Sequence, residues 1–290
     1  MKLTILGSGT AAPRLKRNMS GYLLEAGGKK ILFDSGAGTI RQLLELKVNL
    51  LNIDNIFYTH LHNDHINDLG AIIWSNNYGM ARKKPLNIYG PKGFREYFKI
   101  FMEKILKPKK LNYKTNVREM FGGTMIKIPI NEKTNDTTNQ KINKKISLIN
   151  KTNKNLIMGK NNKNSTKNIN NKNQITIKSI KSKHTGSSVS YRVKHNSKSI
   201  VYSGDTDYSD EIIKISKDAD LLILECSFPY KKDGHLTPEL CGKIAAKANA
   251  KKLVLTHFYP ECDLIDAKKE CSKEYNGEVV LAEDFMGIKV

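Results

Sequence analysis

Short apolar runs alternate with amphipathic segments along most of this 290-residue chain. Runs rich in β-branched and aromatic residues predict strands at 3–6, 21–25, 30–33, 55–59, 86–89, 124–130, 174–180, 187–193, 199–203, 221–225, 252–256 and 278–282. Helix-type spacing of the apolar residues predicts helices at 39–46, 66–78, 93–106, 209–216, 238–248 and 265–275. The strands come in pairs first and then alternate with helices. This order predicts an α/β fold, an αββα sandwich of two mixed β-sheets flanked by helices.

One stretch interrupts this pattern. Residues 131–173 contain fourteen Asn and ten Lys, and their acids are Glu132 and Asp136. A segment of this composition cannot bury enough apolar area to offset the entropy lost on ordering. We therefore expect a disordered, low-complexity insertion within a single domain that spans residues 1–290.

The charge of the chain indicates an anionic partner. The formal net charge is +21, and residues 131–173 contribute +8 of it, so the excess is not confined to the insertion. Lysine and arginine at this density focus positive potential, which suits a phosphate-rich substrate such as RNA. The alternative is that the surface lysines only keep the protein soluble.

Two further features concern the compartment. The four cysteines show no C-x-x-C pairing, so we expect reduced thiols rather than disulfides or a zinc ribbon. The first apolar run, at 3–6, is too short for a signal peptide, and no stretch has the length of a membrane span. These observations predict a cytoplasmic protein without a membrane partner.

The densest chemistry lies directly after the predicted strand at 55–59. Within six consecutive positions the chain carries four potential metal ligands: His60, His62, Asp64 and His65. Imidazole and carboxylate are the ligands that zinc-like metals prefer. A polar loop that is rich in histidine by chance is the alternative, but chance rarely places such ligands at the end of a strand.

Three more potential ligands each follow a predicted strand. They are His184, Asp205 and His257, and Gly204 before the aspartate allows the backbone to approach an ion closely. Taken singly, each could be a core histidine or a turn aspartate. Side chains from several strand ends that meet at one mouth are, however, the expected arrangement of a metal site on a sheet scaffold.

These residues and their order resemble the metallo-β-lactamase superfamily of metal-dependent hydrolases, through nearly the whole chain except 131–173. The resemblance implies the metallo-β-lactamase fold and two divalent metal ions. Zinc is the expected ion, and manganese or iron suits the same ligands. By the resemblance, the first ion is bound by His60, His62 and His184, the second by Asp64, His65 and His257, and Asp205 bridges the two.

Within the superfamily the chain is most similar to the ribonuclease Z branch. The motifs that carry this similarity are Gly9-Thr10, the run 32–39, Glu225-Cys226-Ser227-Phe228, Gly234-His235-Leu236-Thr237 and Ala282-Glu283-Asp284-Phe285. The similarity implies that the catalytic residues are Asp64, His235 and Glu225. Asp64 would orient the nucleophile or take its proton, and His235, held by Glu225, would protonate the leaving oxygen. Asp34 is expected to orient a metal ligand.

One departure from that branch affects the substrate. Ribonuclease Z carries a long tRNA-gripping arm between the third histidine motif and the bridging aspartate, but here Asp205 follows His184 by only 21 positions. We therefore expect metal-bound hydroxide to attack a phosphodiester of RNA, with the tRNA 3′ end as one possibility, or of a smaller molecule. The alternatives are hydrolysis of a thioester or other acyl substrate, and RNA binding without catalysis on the same fold. The sequence does not determine the oligomeric state, and a homodimer is compatible with it, since relatives in this branch are often dimers.

Overall fold

In this computed structural model, residues 1–130 and 174–290 are described. They form two seven-stranded β-sheets with helices flanking them, and the predicted αββα sandwich of mixed sheets is confirmed. The insertion predicted at 131–173 lies outside the described residues. None of the helices in the described ranges is long and apolar enough to cross a bilayer.

The described residues contain fourteen strands and seven α-helices, and π-helical turns at Ser75–Gly79 and Phe101–Leu106 continue the third and the fourth of these helices. The strands are β1 (Lys2–Gly7), β2 (Gly21–Ala26), β3 (Lys29–Ser35), β4 (Ile53–Phe57), β5 (Leu86–Gly90), β6 (Thr115–Glu119), β7 (Met125–Pro129), β8 (Gln174–Lys181), β9 (Val189–His195), β10 (Lys198–Tyr202), β11 (Leu221–Glu225), β12 (Lys252–Thr256), β13 (Glu278–Leu281) and β14 (Gly287–Lys289). The helices are α1 (Thr39–Glu45), α2 (Asn63–Ile66), α3 (Leu69–Trp74), α4 (Phe94–Ile100), α5 (Asp210–Ser216), α6 (Pro238–Lys247) and α7 (Ala267–Ser272).

The sheet topology brings many strand ends to the same edge. The first sheet has the order β14-β1-β2-β3-β4-β5-β6, and the second has the order β13-β12-β11-β10-β9-β8-β7. Strands β3 to β6 are parallel neighbours, and so are β10 to β13. The carboxyl ends of parallel strands share one edge, where ligands of α/β proteins typically bind.

An aromatic core between the sheets supports that edge. The Tyr22 and Tyr202 rings lie 4.5 Å apart between centroids, and the Phe33 and Phe57 rings lie 5.4 Å apart. All four side chains are buried. Buried rings stabilise such a core both by the area that they remove from water and by their mutual contacts. Because the Tyr202 hydroxyl donates to the Asp34 carboxylate at 2.7 Å, this core also fixes side chains at the sheet edge.

The structure differs from the predicted elements at a few points. All twelve predicted strands are present, but β6 and β14 were missed. Strand β6 is mostly polar and half-exposed at an edge, so it lacks the apolar signal on which the prediction depended. The predicted helix at 66–78 begins earlier, at Asn63, and is broken at 67–68 before α3. The predicted helix at 265–275 is shorter and follows a 3₁₀ turn at Pro260–Leu264.

Removal of residues 131–173 is expected to leave the fold and the metal content intact. Pro129 pairs with Gln174 across the antiparallel β7–β8 hairpin, so an Asn-Gly turn after Ile130 can rejoin the chain. In the deletion variant, the chain is rejoined at the first residue of β8, whereas His184 lies beyond the last residue of that strand. The change is therefore made at the end of the strand away from His184. Thermal unfolding and metal analysis of the deletion variant provide the test. A fall in Tm of more than about 3 °C, or lost metal, would contradict this expectation.

Candidate metal centre

The loop after β4 brings its four potential ligands to one place. The strand ends at Phe57, two residues earlier than predicted, and α2 begins at Asn63. His60 and His62 therefore lie in the connecting turn, with His60 Nε2 3.1 Å from His62 Nδ1. Asp64 and His65 lie in the first turn of the helix, and both are buried. The strand-to-helix turn thus gathers ligands that a regular strand would have spread out.

The distant histidines join this loop from the second sheet. His184 Nε2 lies 3.2 Å from His62 Nδ1, and His257 Nε2 lies 3.1 Å from His65 Nε2. The Asp64 carboxylate is also 3.3 Å from His257 Nε2. Two groups of donors result, and their membership matches the division that the resemblance implies.

Asp205 lies between the two groups. Its Oδ1 is 3.2 Å from His65 Nε2, and its Oδ2 is 3.7 Å from both His60 Nε2 and His184 Nε2. Gly204 makes this approach possible, since it has a φ of 56° and a Cβ at this position would lie 2.6 Å from the Thr59 Cβ. The two carboxylate oxygens therefore face different donor groups, as a bridging ligand requires.

In four of the histidines, the Nδ1 atom faces an acceptor outside the donor groups. In the neutral ring, the lone pair on Nε2 then points toward the other donors. The Nδ1 atoms lie within 3.0 Å of their acceptors: the Thr59 hydroxyl for His60, the Asp34 carboxylate for His65, the Gly234 carbonyl for His184 and the Ser227 hydroxyl for His257. The Thr59 and Ser227 hydroxyls donate their own protons to Asp34 and Glu225, so they accept from the rings. An imidazole that donates from Nδ1 keeps the lone pair on Nε2 free.

This arrangement fits bound metal ions. The Nε2 atoms of His65 and His257 lie 3.1 Å apart, and their lone pairs in the neutral rings repel one another unless a cation lies between them. Ligand atoms at 2.0–2.1 Å from a tetrahedral ion would lie about 3.3 Å apart, close to the observed separations. In addition, the buried Oδ1 of Asp205 has no hydrogen-bond partner among the described residues. The nitrogen and oxygen donors are the set that zinc, manganese and iron accept.

The electrostatics of His60, His62 and Asp205 favour the forms that bind metal. Burial lowers the pKa of His60 and of His62, so both rings are neutral at pH 7. Burial opposes ionisation of Asp205, but the neighbouring His257 and His65 hold its pKa well below the usual range. Metal binding requires neutral imidazole and ionised carboxylate, and His60, His62 and Asp205 meet that requirement. Burial lowers the pKa of His65, but the Asp205 and Asp34 carboxylates outweigh it and raise the pKa well above its usual range, so a metal ion would displace a proton from this ring.

The Asp34 carboxylate orients several side chains of the site by accepting their hydrogen bonds. Its Oδ2 accepts from the His65 ring, the Thr59 hydroxyl and the Tyr202 hydroxyl at 2.7–2.8 Å, and its Oδ1 accepts from the Thr59 backbone N–H at 2.8 Å. Asp34 is fully buried and has a φ of 53°, in the left-handed region. Strain of this kind persists where the surroundings determine the conformation. The aspartate thus orients His65 and, through Thr59, His60.

His235 and Glu225 form a pair at the rim of the centre. His235 Nδ1 lies 3.0 Å from Glu225 Oε1, and its ring centroid is 4.9 Å from that of His184. Burial and the Lys232 ammonium both lower the pKa of His235, but the hydrogen bond to Glu225 outweighs them and the net shift is upward. The carboxylate therefore favours a protonated ring beside the metal donors.

Sequence reasoning did not identify several residues that complete the site. Thr59 and Ser227 fix the tautomers of neighbouring rings, the Gly234 carbonyl holds His184, and the Ala11 N–H donates to the Asp64 carboxylate at 3.0 Å. Backbone groups carry no sequence signal. The one available clue was position, because Thr59 precedes His60 and Thr256 likewise precedes His257.

The fold and the site together define the class of protein, a two-sheet α/β sandwich with clusters of His and Asp side chains suited to metal ions where its sheet edges meet. A family model described as a beta-lactamase superfamily domain matches residues 29–258, and the chain belongs to this family. The predicted metallo-β-lactamase fold of the ribonuclease Z type is confirmed by the relatives and structures that it resembles.

The similarity extends over the whole chain. Ribonuclease Z of Archaeoglobus fulgidus is 29% identical over 308 residues, which cover 100% of this chain and 97% of that protein. "Probable metallo-hydrolase YhfI" of Bacillus subtilis is 28% identical, with 98% of this chain and 97% of that protein covered. The crystal structure of the short form of human tRNase Z has a TM-score of 0.70 and 26% identity, covering 100% of this chain and 99% of that chain.

Proposed function

We propose that this protein is a metal-dependent hydrolase of phosphodiester bonds, acting on RNA as the ribonuclease Z relatives named above do. The observation that carries the proposal is the position of Asp205, whose two oxygens face two separate groups of potential metal donors. A centre of this kind concentrates positive charge when it is loaded, and phosphodiesters are anionic.

Two divalent ions, with zinc first among them, are the proposed occupants. His60, His62 and His184 would hold one ion, Asp64, His65 and His257 the other, and Asp205 would contact both. When bound, such ions activate water as a nucleophile at neutral pH and stabilise negative charge on phosphate oxygens.

Three residues of the chain have proposed catalytic roles. Asp64 is held by the Ala11 N–H, so its carboxylate is placed to orient the attacking water and to accept its proton. His235 is placed to give a proton to the leaving oxygen. Glu225 orients the His235 ring, and it also accepts from the Thr206 N–H at 2.9 Å, which fixes the carboxylate itself.

The size of the substrate is a separate question, and a smaller phosphodiester is the second candidate. Strands β9 and β10 are joined by a tight turn at Asn196-Ser197, so no arm extends between His184 and Asp205 in this described part of the chain. The ribonuclease Z relatives favour RNA, whereas this short connection favours a substrate that needs no arm. Residence in the cytoplasm stays a prediction from the sequence, and assembly as a homodimer stays compatible with it.

Parallel assays with a precursor tRNA, a short single-stranded RNA, bis(p-nitrophenyl) phosphate and an acyl thioester would test the proposal. We expect turnover of the phosphodiesters by protein that retains about two metal equivalents, and little turnover of the thioester. A thioester preference would support the acyl-hydrolase alternative. Metal below one equivalent, with RNA binding but no turnover, would support the non-catalytic alternative.

Replacing His235 with alanine is expected to lower kcat on RNA by about 10² to 10⁴, because an alkoxide leaves poorly without a proton. Metal content should not change, since His235 belongs to neither donor group. On bis(p-nitrophenyl) phosphate, whose leaving group is stable without a proton, kcat should fall much less. Steady-state rates on both substrates provide the measurement.

The matched control for that experiment is His195→Ala, at the far end of β9 from the centre. It should leave both rates unchanged. Equal losses on the two substrates in the His235 variant would exclude the proton-donor role.

A further inference from the structure

Beside the metal centre, two aromatic rings and one lysine form a cluster to which the proposed reaction assigns no role. The Phe228 and Tyr259 rings stack with centroids 4.5 Å apart and 20° between their planes. The Lys232 ammonium lies 4.3 Å from the Phe228 centroid and 5.9 Å from the Tyr259 centroid. We call these three residues the Lys232 platform.

The platform borders the proposed proton donor. The Phe228 ring centroid is 5.5 Å from that of His235, and the Tyr259 centroid is 6.5 Å from it. The Tyr259 centroid is also 6.2 Å from that of the metal donor His257. If a substrate occupies the metal centre and its leaving group accepts a proton from His235, that leaving group would therefore lie beside the platform.

The two neighbouring lysines in this loop differ in their partners. Lys231 Nζ donates to the Asp207 carboxylate at 2.8 Å and to the Lys232 carbonyl at 3.0 Å, so its charge is neutralised and it fixes the loop. Lys232 is exposed and, within the described residues, forms no ion pair with a carboxylate. Contact with aromatic faces positions an ammonium and leaves its N–H groups available to an anion.

We propose that Lys232 binds the next phosphate of a single-stranded RNA beyond the scissile one, in the part of the chain that leaves. This inference rests on the proposed function and adds a substrate subsite to it. Phosphate contacts from lysine position a nucleic acid without reading its sequence. The platform therefore favours an RNA that has a further phosphate beyond the cleaved bond. This selection does not require the arm that ribonuclease Z carries.

The test compares two substrates in one variant. A short RNA carries a phosphate beyond the scissile bond, and bis(p-nitrophenyl) phosphate does not. In Lys232→Ala, the ratio of kcat/KM for RNA to kcat/KM for the aryl diester is expected to fall about tenfold, mainly through KM for RNA. Lys232→Arg, which keeps a cation, should restore most of the ratio. Lys217→Ala is the control, since Lys217 lies before the start of β11, at the end opposite the metal centre.

A binding measurement provides a readout that is independent of turnover. Fluorescence anisotropy of a labelled oligouridylate, titrated against salt in the His235→Ala background, gives the number of phosphate contacts. Loss of Lys232 should reduce the salt slope by about 1. Its exposed side chain makes a folding defect unexpected, and an unchanged Tm would exclude one.

The outcomes separate the two proposals. If the wild-type protein cleaves RNA but Lys232→Ala retains both the substrate ratio and the salt slope, the subsite is wrong and the proposed function stands. If the protein hydrolyses neither phosphodiester, the proposed function is wrong, and an unchanged salt slope would then overturn the Lys232 contact as well.

Discussion

Substitution of Asp205 by alanine is expected to remove most of the bound metal and to lower turnover by about three orders of magnitude or more. The carboxylate faces both donor groups, with 3.2 Å to His65 Nε2 and 3.7 Å to His60 Nε2, so its loss weakens both positions at once. Without its negative charge, two cations bound by the two donor groups would also repel each other more strongly. Elemental analysis of the purified variant, together with rates on bis(p-nitrophenyl) phosphate, provides the measurement.

Asp207→Asn is the matched control for that substitution. Asp207 is also buried and lies two residues away, but its carboxylate pairs with Lys231 rather than with the histidines. We expect the Asn variant to keep its metal and to lose activity only through the loosened loop at 230–235. Two full metal equivalents in Asp205→Ala would refute the bridging position.

Substitution of Asp34 by asparagine is expected to have the second largest effect, on stability as well as on metal affinity. The buried carboxylate accepts four hydrogen bonds, and an amide cannot accept all of them. Donors left without partners cost about 1–3 kcal/mol each, so we expect a loss of about 3 kcal/mol in the free energy of unfolding. Metal affinity should fall about 10- to 100-fold because His65 loses the partner that orients its ring.

Asparagine is chosen because it tolerates the left-handed backbone at this position, where alanine would add strain of its own. Tyr202→Phe is the control, since it removes one of the four donors and leaves the others in place. We expect it to cost about 1 kcal/mol and to keep the metal. Urea unfolding and competition with a metal chelator test both variants. Equal unfolding midpoints for Asp34→Asn and the wild type would show that the carboxylate does not organise the centre.

The strands were predictable because each is a compact apolar run, and the two that were missed show the limit of that signal. The residues of β6 are mostly polar, and β14 is only three residues long, so both depend on pairing with a neighbouring strand. The helix after β4 was placed too late for a related reason. Its first turn holds buried polar ligands rather than apolar residues, and an apolar pattern cannot detect such a turn.

By itself, the sequence determined the type of fold and pointed to seven potential metal donors. Ligand chemistry belongs to the side chains, and their positions after apolar runs are visible in one dimension. The tertiary structure decided which oxygen of Asp205 faces which histidine, which group each histidine Nδ1 faces, and that Lys232 lies over Phe228 beside His235. These features depend on contacts between residues far apart in the chain and on backbone groups that every residue shares, so no local pattern encodes them.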